Sequence, residues 1–451
     1  MKMNRKRKNE SGSSQESGLP VRILKTAIAI AVVAAIALLG YKQWARNKAE
    51  EHYEQGLQYS AQGRTALAAM AFHRAVGQDP GFAEAHHQLG LIYAGQRRFA
   101  EADSILQRAI ELDPGQAEFH LALGNLYQAI EDLEAASQAY ARGLELDPDD
   151  AAMHNELGLV QAMQGKLEQA EETFRRALEL RPDFARAHYN LGRALEAMAK
   201  STEAIAAYQR AAEIDPDMLQ AHQSLGSIHA SQGRNQEALA AYGKVLEHRQ
   251  DDTHILAQVG DLYAREDRLD EAVEAYNKAL AINPDHAGAR YGLGSTLLRQ
   301  GKEEEGREEM RTFEKLRALE SELRATQQAF QSNRENPSAH YERGLTYLRH
   351  DRPREALRSF EVALRLDPEF AEAYYGMGLA YVALGLYAEA EHTLQKSIEL
   401  RPDHGPSYMA LGNMYRDRGR IQEAIMLYKE ASRLDVGSVN IAKGTMKLKR
   451  E

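Results

Sequence analysis

The chain has 451 residues, with 56 Lys or Arg, 66 Asp or Glu, a net charge of −10 and no Cys. The absence of Cys excludes disulfides, thiolate nucleophiles and cysteine-ligated zinc. The charge is uneven, because residues 1–48 carry ten Lys or Arg against two Glu and the remainder carries a net −18. An acidic body of this kind disfavours nonspecific nucleic-acid binding, which requires neutralisation of phosphates.

The N-terminal region joins a basic segment to an uncharged apolar one. Residues 1–22 are polar and basic, which predicts a disordered tail. Residues 26–41 contain no charge, and the only Trp of the chain, Trp44, follows them. As a helix they cover about 24 Å, less than the roughly 30 Å of a hydrocarbon core, but the apolar run starts earlier, at Ile23, and flanking Lys and Arg side chains can snorkel. The region 23–44 therefore predicts a single-pass transmembrane anchor.

Two other interpretations compete with the anchor. In a cleaved signal peptide the small-x-small site would be residues 35–37, which lie inside the apolar run rather than after it. A buried soluble helix would have to hide Arg22 and Lys25. Because the basic residues concentrate before the span, the positive-inside rule places residues 1–22 in the cytoplasm and the rest of the chain outside it, in the periplasm if the cell has two membranes.

The remainder of the chain is organised with a period of 34 residues, visible in three markers. The Pro marker occupies positions 80, 114, 148, 182, 216, 284, 368 and 402. The Gly marker occupies positions 56, 90, 124, 158, 192, 226, 260, 294, 344, 378 and 412. The Ala marker occupies positions 68, 102, 136, 170, 204, 238, 272, 356, 390 and 424. Three markers with one interval indicate a repeat architecture.

Each repeat contains two stretches of helical periodicity, for example 185–198 and 202–214. The Gly in the first stretch and the Ala in the second let two helices approach closely, and the Pro ends the pair because it cannot continue a helix. The repeats run over 49–82, 83–116, 117–150, 151–184, 185–218, 219–252, 253–286, 287–320, 337–370, 371–404 and 405–438.

These features resemble the tetratricopeptide repeat (TPR) family, whose pattern is a large residue, Leu-Gly, Tyr, Ala, Phe and Pro at fixed offsets. The second repeat supplies Leu89, Gly90, Tyr93, Ala102 and Pro114. The resemblance, to a membrane-anchored bacterial TPR protein, implies an all-α fold. It further implies a right-handed superhelix of about eleven helix-turn-helix repeats behind one N-terminal transmembrane helix, with a concave groove lined by the first helices.

The eighth repeat is irregular. It lacks the Ala and Pro markers, and 16 further residues, 321–336, precede the ninth repeat. Apolar residues at helical spacing over 302–333 predict one long helix. Either this is a lengthened second helix that stacks without a break, or it protrudes and binds a partner or a second copy through 302–332. Repeats one to eight thus occupy 49–320, the insertion 321–336, repeats nine to eleven 337–438, and a tail 439–451.

Enzyme chemistry is not predicted. The GxG fragments at 292–294 and 376–378 lie within predicted helices rather than after strands, and no phosphate-binding loop, metalloprotease motif or nucleophile elbow occurs. Seven of the 16 His occupy one repeat slot, four residues before the marker Gly. Single ligands spaced by 8–10 Å or more between helices cannot converge on one ion, so we interpret them as packing residues. No metal or cofactor is predicted.

The resemblance implies that Tyr residues three before the marker Gly line the groove. In the later repeats Arg residues lie five after that Gly, and Arg with Tyr is typical of binding hot spots. The predicted partner-binding residues are Tyr291, Tyr341, Tyr375, Arg265, Arg299 and Arg349.

Three classes of function follow. The first is a non-catalytic, membrane-tethered scaffold that binds protein or peptide partners, among them an acidic segment at the Arg and Tyr residues. The alternatives are an obligate structural or assembly subunit of a cell-envelope complex, and an enzyme accessory protein without activity of its own.

Overall fold

The computed structural model describes the backbone of residues 18–332 and 335–434, and the side chains of residues 28, 30–325 and 335–434. Within these ranges the chain forms 22 α-helices and no strand. The predicted all-α fold is therefore confirmed. The predicted C-terminal tail, 439–451, and residues 1–17 of the predicted N-terminal tail lie outside the described residues.

The helices group into two compact units, Met1–Arg234 and Asn235–Glu451. The first contains α1 (Gly18–Ala61), α2 (Thr65–Gln78), α3 (Ala83–Gly95), α4 (Phe99–Leu112), α5 (Ala117–Ala129), α6 (Leu133–Leu146), α7 (Ala151–Met163), α8 (Leu167–Leu180), α9 (Ala185–Ala197), α10 (Ser201–Ile214) and α11 (Leu219–Ser231). The second contains α12 (Asn235–His248), α13 (Thr253–Arg265), α14 (Leu269–Ile282), α15 (Ala287–Arg299), α16 (Glu303–Ser332), α17 (Pro337–Arg349), α18 (Pro353–Leu366), α19 (Ala371–Ala383), α20 (Tyr387–Leu400), α21 (Gly405–Asp417) and α22 (Ile421–Leu434). The predicted junction at 321–336 lies within the second unit.

The two helices of a repeat meet where the marker Gly of the first faces a large side chain of the second. A Cβ added to Gly124 would lie 2.4 Å from the ring of Tyr140, which is fully buried. A packed ring also accounts for the first Gly of the GxG fragment at 376–378. A Cβ on Gly376 would lie 2.5 Å from the ring of Phe360 of the preceding repeat. These Gly residues therefore make room for a packed ring rather than for a phosphate.

A left-handed residue joins the two helices of each repeat. Gly occupies this turn in six repeats, at 63, 165, 233, 301, 385 and 419. A residue with a Cβ occupies it in the other five, with φ between 56° and 62°: Arg97, Glu131, Ala199, Asp267 and Asp351. That backbone costs roughly 1–2 kcal/mol for such residues, so the packing of the helix pair must hold the turn.

Two side-chain hydrogen bonds close the Asp-Pro turn between repeats. The Asp before the Pro accepts from the N–H two residues later, as in Asp79 Oδ1 with Gly81 at 2.9 Å. The Pro carbonyl accepts from the repeated His, as in His154 Nε2 with Pro148 O at 3.0 Å. The same bond, also at 3.0 Å, joins His188 to Pro182 and His222 to Pro216. In these repeats the His side chain of the first helix therefore holds the turn that precedes that helix.

The predicted long helix is α16, which has 30 residues. It packs on α15 before it and on α17 after it. Leu316 is buried, and Glu322 accepts a hydrogen bond from Arg349 Nη2 at 3.0 Å. The part with described side chains, 303–325, thus packs as a lengthened second helix. Self-association through 302–332 stays a prediction.

Helix α1 runs without interruption from the predicted anchor into the first repeat. Its large apolar side chains before the repeat are more than half exposed: Ile28, Ile30, Val32, Val33, Ile36, Leu38, Leu39, Tyr41 and Trp44. Across the described residues, no helix combines the length and the apolar character that crossing a membrane requires. The side chains of 23–27, where the predicted anchor begins, lie outside the described residues.

The Gly contact predicts opposite effects for two Gly-to-Ala substitutions in the first unit. Gly124→Ala should lower the free energy of unfolding by about 1–3 kcal/mol, because the ring of Tyr140 must shift. Gly77→Ala, in helix α2 where an added Cβ meets nothing within 4 Å, should raise it by up to about 1 kcal/mol through helix propensity. Urea unfolding followed by circular dichroism measures both. Equal effects of the two substitutions would contradict the packing described.

Candidate functional site: the inner face of the first helices

The first helices of successive repeats contact each other in both units. These contacts join α3 to α5 and α7 to α9 in the first unit, and α13 to α15, α17 to α19 and α19 to α21 in the second. Successive second helices make no comparable contact among the described residues. Within each unit the first helices therefore form an inner layer, and the stripe of residues three before, one after and five after the marker Gly lies along it.

The polarity of the residue after the marker Gly varies with the side chain that the second helix packs against that Gly. In three of the repeats whose second helix supplies Tyr, the hydroxyl donates to a polar side chain of the inner stripe: Tyr140 to Asn125 at 2.7 Å, Tyr276 to Asp261 at 2.6 Å and Tyr428 to Asn413 at 2.9 Å. Where it supplies Phe or Leu, which cannot donate, the residue after Gly is Leu: Leu57, Leu91, Leu159, Leu345 and Leu379.

This match gives two kinds of inner face, one polar and held by a buried Tyr, the other apolar and partly exposed. In the fifth repeat the residue after Gly is Arg193, and Tyr208 donates instead to Glu196, one turn further on, at 2.6 Å. Burial raises the pKa of Tyr140 and Tyr276, so both hydroxyls remain donors. This arrangement was not predicted from the sequence, although the residue types in the two slots, 15 residues apart, vary together in ten of the eleven repeats.

The predicted Tyr residues differ in how far they are buried. Tyr291 is 50% exposed, and its ring lies 5.2 Å from that of Phe313 in α16. Tyr341 packs between Phe360 and Phe370, at 5.8 and 5.6 Å between ring centroids. Tyr375 packs edge-on against His404 at 5.1 Å. Burial raises the pKa of both Tyr341 and Tyr375, so mainly Tyr291 offers a ring face to a partner.

The predicted Arg residues turn to different neighbours rather than to one point. Arg299 donates to the carbonyl of Ala264 at 2.7 Å and to Asp267 Oδ1 at 2.9 Å, at the end of α13. Arg349 pairs with Glu322 of α16. Arg265 is exposed. The guanidinium groups of Arg299 and Arg349 therefore already hold a carboxylate of their own chain.

Six of the second helices share one local ion pair. The second helices carry a cation and a Glu three residues later in one slot: Arg108–Glu111, Arg142–Glu145, Arg176–Glu179, Arg210–Glu213, Lys244–Glu247 and Lys396–Glu399. Such pairs are solvated and contribute little individually. In the described part of the chain no three His, Asp or Glu residues are grouped as metal ligands.

Most of the helix-pair repeats match models of a known protein family. Family models described as tetratricopeptide repeat match residues 83–116, 121–183, 164–218, 189–254, 337–370 and 369–435, and one described as TPR repeat matches 260–301. The fold is an α-solenoid built from helix pairs. The chain belongs to the tetratricopeptide repeat family.

Solved TPR structures are similar over part of the chain. YrrB, described as a TPR protein with an unusual peptide-binding site, is 28% identical, with 41% of this chain and 95% of YrrB covered and a TM-score of 0.37. The pilF protein of Pseudomonas aeruginosa is 21% identical over 48% and 97% of the two chains, with a TM-score of 0.41. A thermophilic TPR protein of Thermus thermophilus, TTC0263, is 24% identical over 40% and 98%, with a TM-score of 0.34. No curated protein sequence matches the chain significantly.

The Tyr hydrogen bond predicts a specific cost for removing one hydroxyl. Tyr276→Phe leaves Asp261 without this donor and should lower the free energy of unfolding by about 1–2 kcal/mol. Pairing it with Asp261→Leu, which restores the apolar combination seen at Phe360 and Leu345, should recover part of that loss. Urea unfolding of the two variants provides the measurement, and a double variant no more stable than Tyr276→Phe would contradict the coupling.

Proposed function

We propose that this protein is a non-catalytic scaffold, tethered to a membrane, that binds protein partners on the inner face of its TPR helix pairs. The observation that carries the proposal is the exposed apolar surface of the inner stripe. That stripe exposes Leu91, which is 39% exposed, and the ring of Tyr291, which is 50% exposed, on first helices that contact the first helix of a neighbouring repeat. Partly exposed apolar rows bordered by polar groups are typical of interaction surfaces.

The Arg and Tyr residues predicted from the sequence remain part of this proposal. A partner's carboxylate would replace Asp267 at Arg299, or Glu322 at Arg349. Exposed ion pairs of this kind contribute only about 0.2–1 kcal/mol, so the exchange costs little. The exposed ring of Tyr291 would supply apolar contact on the same helix as Arg299, about 12 Å away along the axis.

Photocrosslinking in intact cells tests the choice of face. A photoreactive amino acid at Leu91 or Ala383, on first helices, should give adducts with partner proteins. The matched controls are Arg108 and His392, which are exposed on second helices. Adducts from the second helices but not from the first would contradict binding on the inner face.

The tether is proposed from the apolar segment of α1 and its charged flanks. Residues 23–44 would lie in the bilayer, with residues 1–22 in the cytoplasm and the repeats outside it. Alkaline carbonate should leave the full chain in the membrane fraction and should release a variant that lacks 23–44. Release of the full chain would exclude the anchor. Protease added to spheroplasts should digest the repeats, and their protection would exclude the orientation.

A further inference from the structure

The first three inner helices of the first unit carry an arrangement that the predicted Arg and Tyr site does not include. On α3 the residues Glu84, His87 and Leu91 are spaced by three and four, so they lie on one face. The corresponding residues of the first repeat are Glu50, Tyr53 and Leu57, and those of the third are Glu118, Leu121 and Asn125. Three rows therefore cross the helices: an acidic row, a middle row and a largely apolar row.

The acidic row is only partly neutralised by the chain itself. Glu50 pairs with Arg46, whose Nε lies 3.1 Å from Glu50 Oε1. Glu84 and Glu118 are exposed, and among the described residues neither has an ion-pair or hydrogen-bond partner. Burial raises the pKa of the Tyr53 hydroxyl, and the charges of Glu84 and Glu118 act in the same direction. Two carboxylates without a cation thus act on the same side chain.

His87, in the middle row, supplies an independent sign of a missing ligand. Its side chain is only 2% exposed, and its Nε2 is buried without a hydrogen-bond partner. The ring packs at 4.8 Å from that of Phe119, and burial lowers its pKa although the charge of Glu118 opposes this. A buried polar nitrogen without a partner destabilises the free protein, and a ligand that offers a hydrogen bond would remove that penalty.

We propose that the inner face of α1, α3 and α5 binds a partner segment in which a Lys or Arg is followed, three residues later, by an apolar residue. The cation lies between Glu84 and Glu118, and the apolar side chain lies on Leu57 and Leu91. This inference rests on the proposed function and names the chemistry of one partner segment.

The spacing of the motif follows from helix geometry. Glu84 and Leu91 are seven residues apart on one helix, which is about 10 Å along its axis. A segment in the polyproline II conformation advances about 3.1 Å per residue with three residues per turn, so side chains three residues apart lie on one face, about 9 Å from each other. The backbone between them crosses the middle row, where a rotation of the buried His87 ring would bring its Nε2 within reach of a peptide carbonyl or N–H.

The test uses the full chain and a fluorescent peptide with three copies of Lys-Ser-Ser-Leu. Fluorescence anisotropy at about 50 mM salt should detect binding, because exposed charges are weakly screened there. Glu84→Gln with Glu118→Gln should weaken binding by about 3- to 20-fold, the effect expected for two partly exposed ion pairs. Substituting Glu for Lys in the peptide should abolish binding.

Two matched variants separate the site from general attraction to an acidic protein. Glu168→Gln with Glu172→Gln makes the same charge change on the second helix α8, where both side chains are exposed, and should change the affinity less than twofold. His87→Leu should weaken binding while the protein melts at the same temperature or higher, because the unpartnered nitrogen is removed.

The outcomes distinguish this proposal from the function on which it rests. The proposal is overturned if no variant and no wild-type protein binds the Lys peptide at 1 mM, or if the Glu84 and Glu118 variant binds as tightly as the wild type while circular dichroism shows it folded. It is also overturned if the α8 control weakens binding equally. In any of these cases, partner adducts from the first helices would still support the scaffold function.

Discussion

Nine of the repeats share one contact, in which a first-helix Gly leaves room for a buried or half-buried side chain of the second helix. A Cβ at that Gly would approach within 2.3–2.8 Å, closer than real Cβ atoms come. The helices can therefore pair only at this one distance, and the pairing holds the left-handed turn between them even where the turn residue is Arg97 or Asp351. The stacking of the next repeat on the same ring, as with Gly376 on Phe360, extends the constraint from one pair to its neighbour.

The same contact connects the core to the inner face. A Tyr beneath the Gly carries its hydroxyl to the inner stripe and needs an acceptor there, as Asp261 and Asn413 provide. A Phe or Leu offers no donor, so a polar residue in that position would lose its partner and Leu occupies it instead. The polarity of the surface that meets a ligand is thus partly set by a residue buried in another helix.

Regularity made the fold predictable from the sequence. The predicted helices at 185–198 and 202–214 agree closely with Ala185–Ala197 and Ser201–Ile214, because Gly, Ala and Pro mark steric requirements that recur every 34 residues. The long helix was predictable for the opposite reason, since no residue interrupts its apolar spacing. The left-handed turns at Glu131 and Ala199 were not, because the packing around them, rather than the residue itself, imposes the conformation.

The candidate site was less predictable, because it depends on which neighbours reach each side chain. Arg299 and Arg349 stand in the same slot of their repeats, yet one caps α13 and the other binds α16. Tyr341 and Tyr291 also share a slot, but Tyr341 lies between two Phe rings and Tyr291 is half exposed. Repeat position fixes the direction of a side chain, whereas its availability depends on residues 19 or more positions away.

The three Glu residues of the acidic row differ in how readily they can bind a cation. Glu84 and Glu118 lie in the first turn of their helices, where the partial positive charge of the helix end already stabilises a carboxylate by about 0.3–1 kcal/mol. Among the described residues no N–H donates to either carboxylate, so the roughly four lone-pair sites of each are available to a ligand. A guanidinium or ammonium can therefore bind without displacing the helix end, whereas at Glu50 it would first have to displace Arg46. This difference favours Glu84 and Glu118 over Glu50 as the residues that meet a cationic partner.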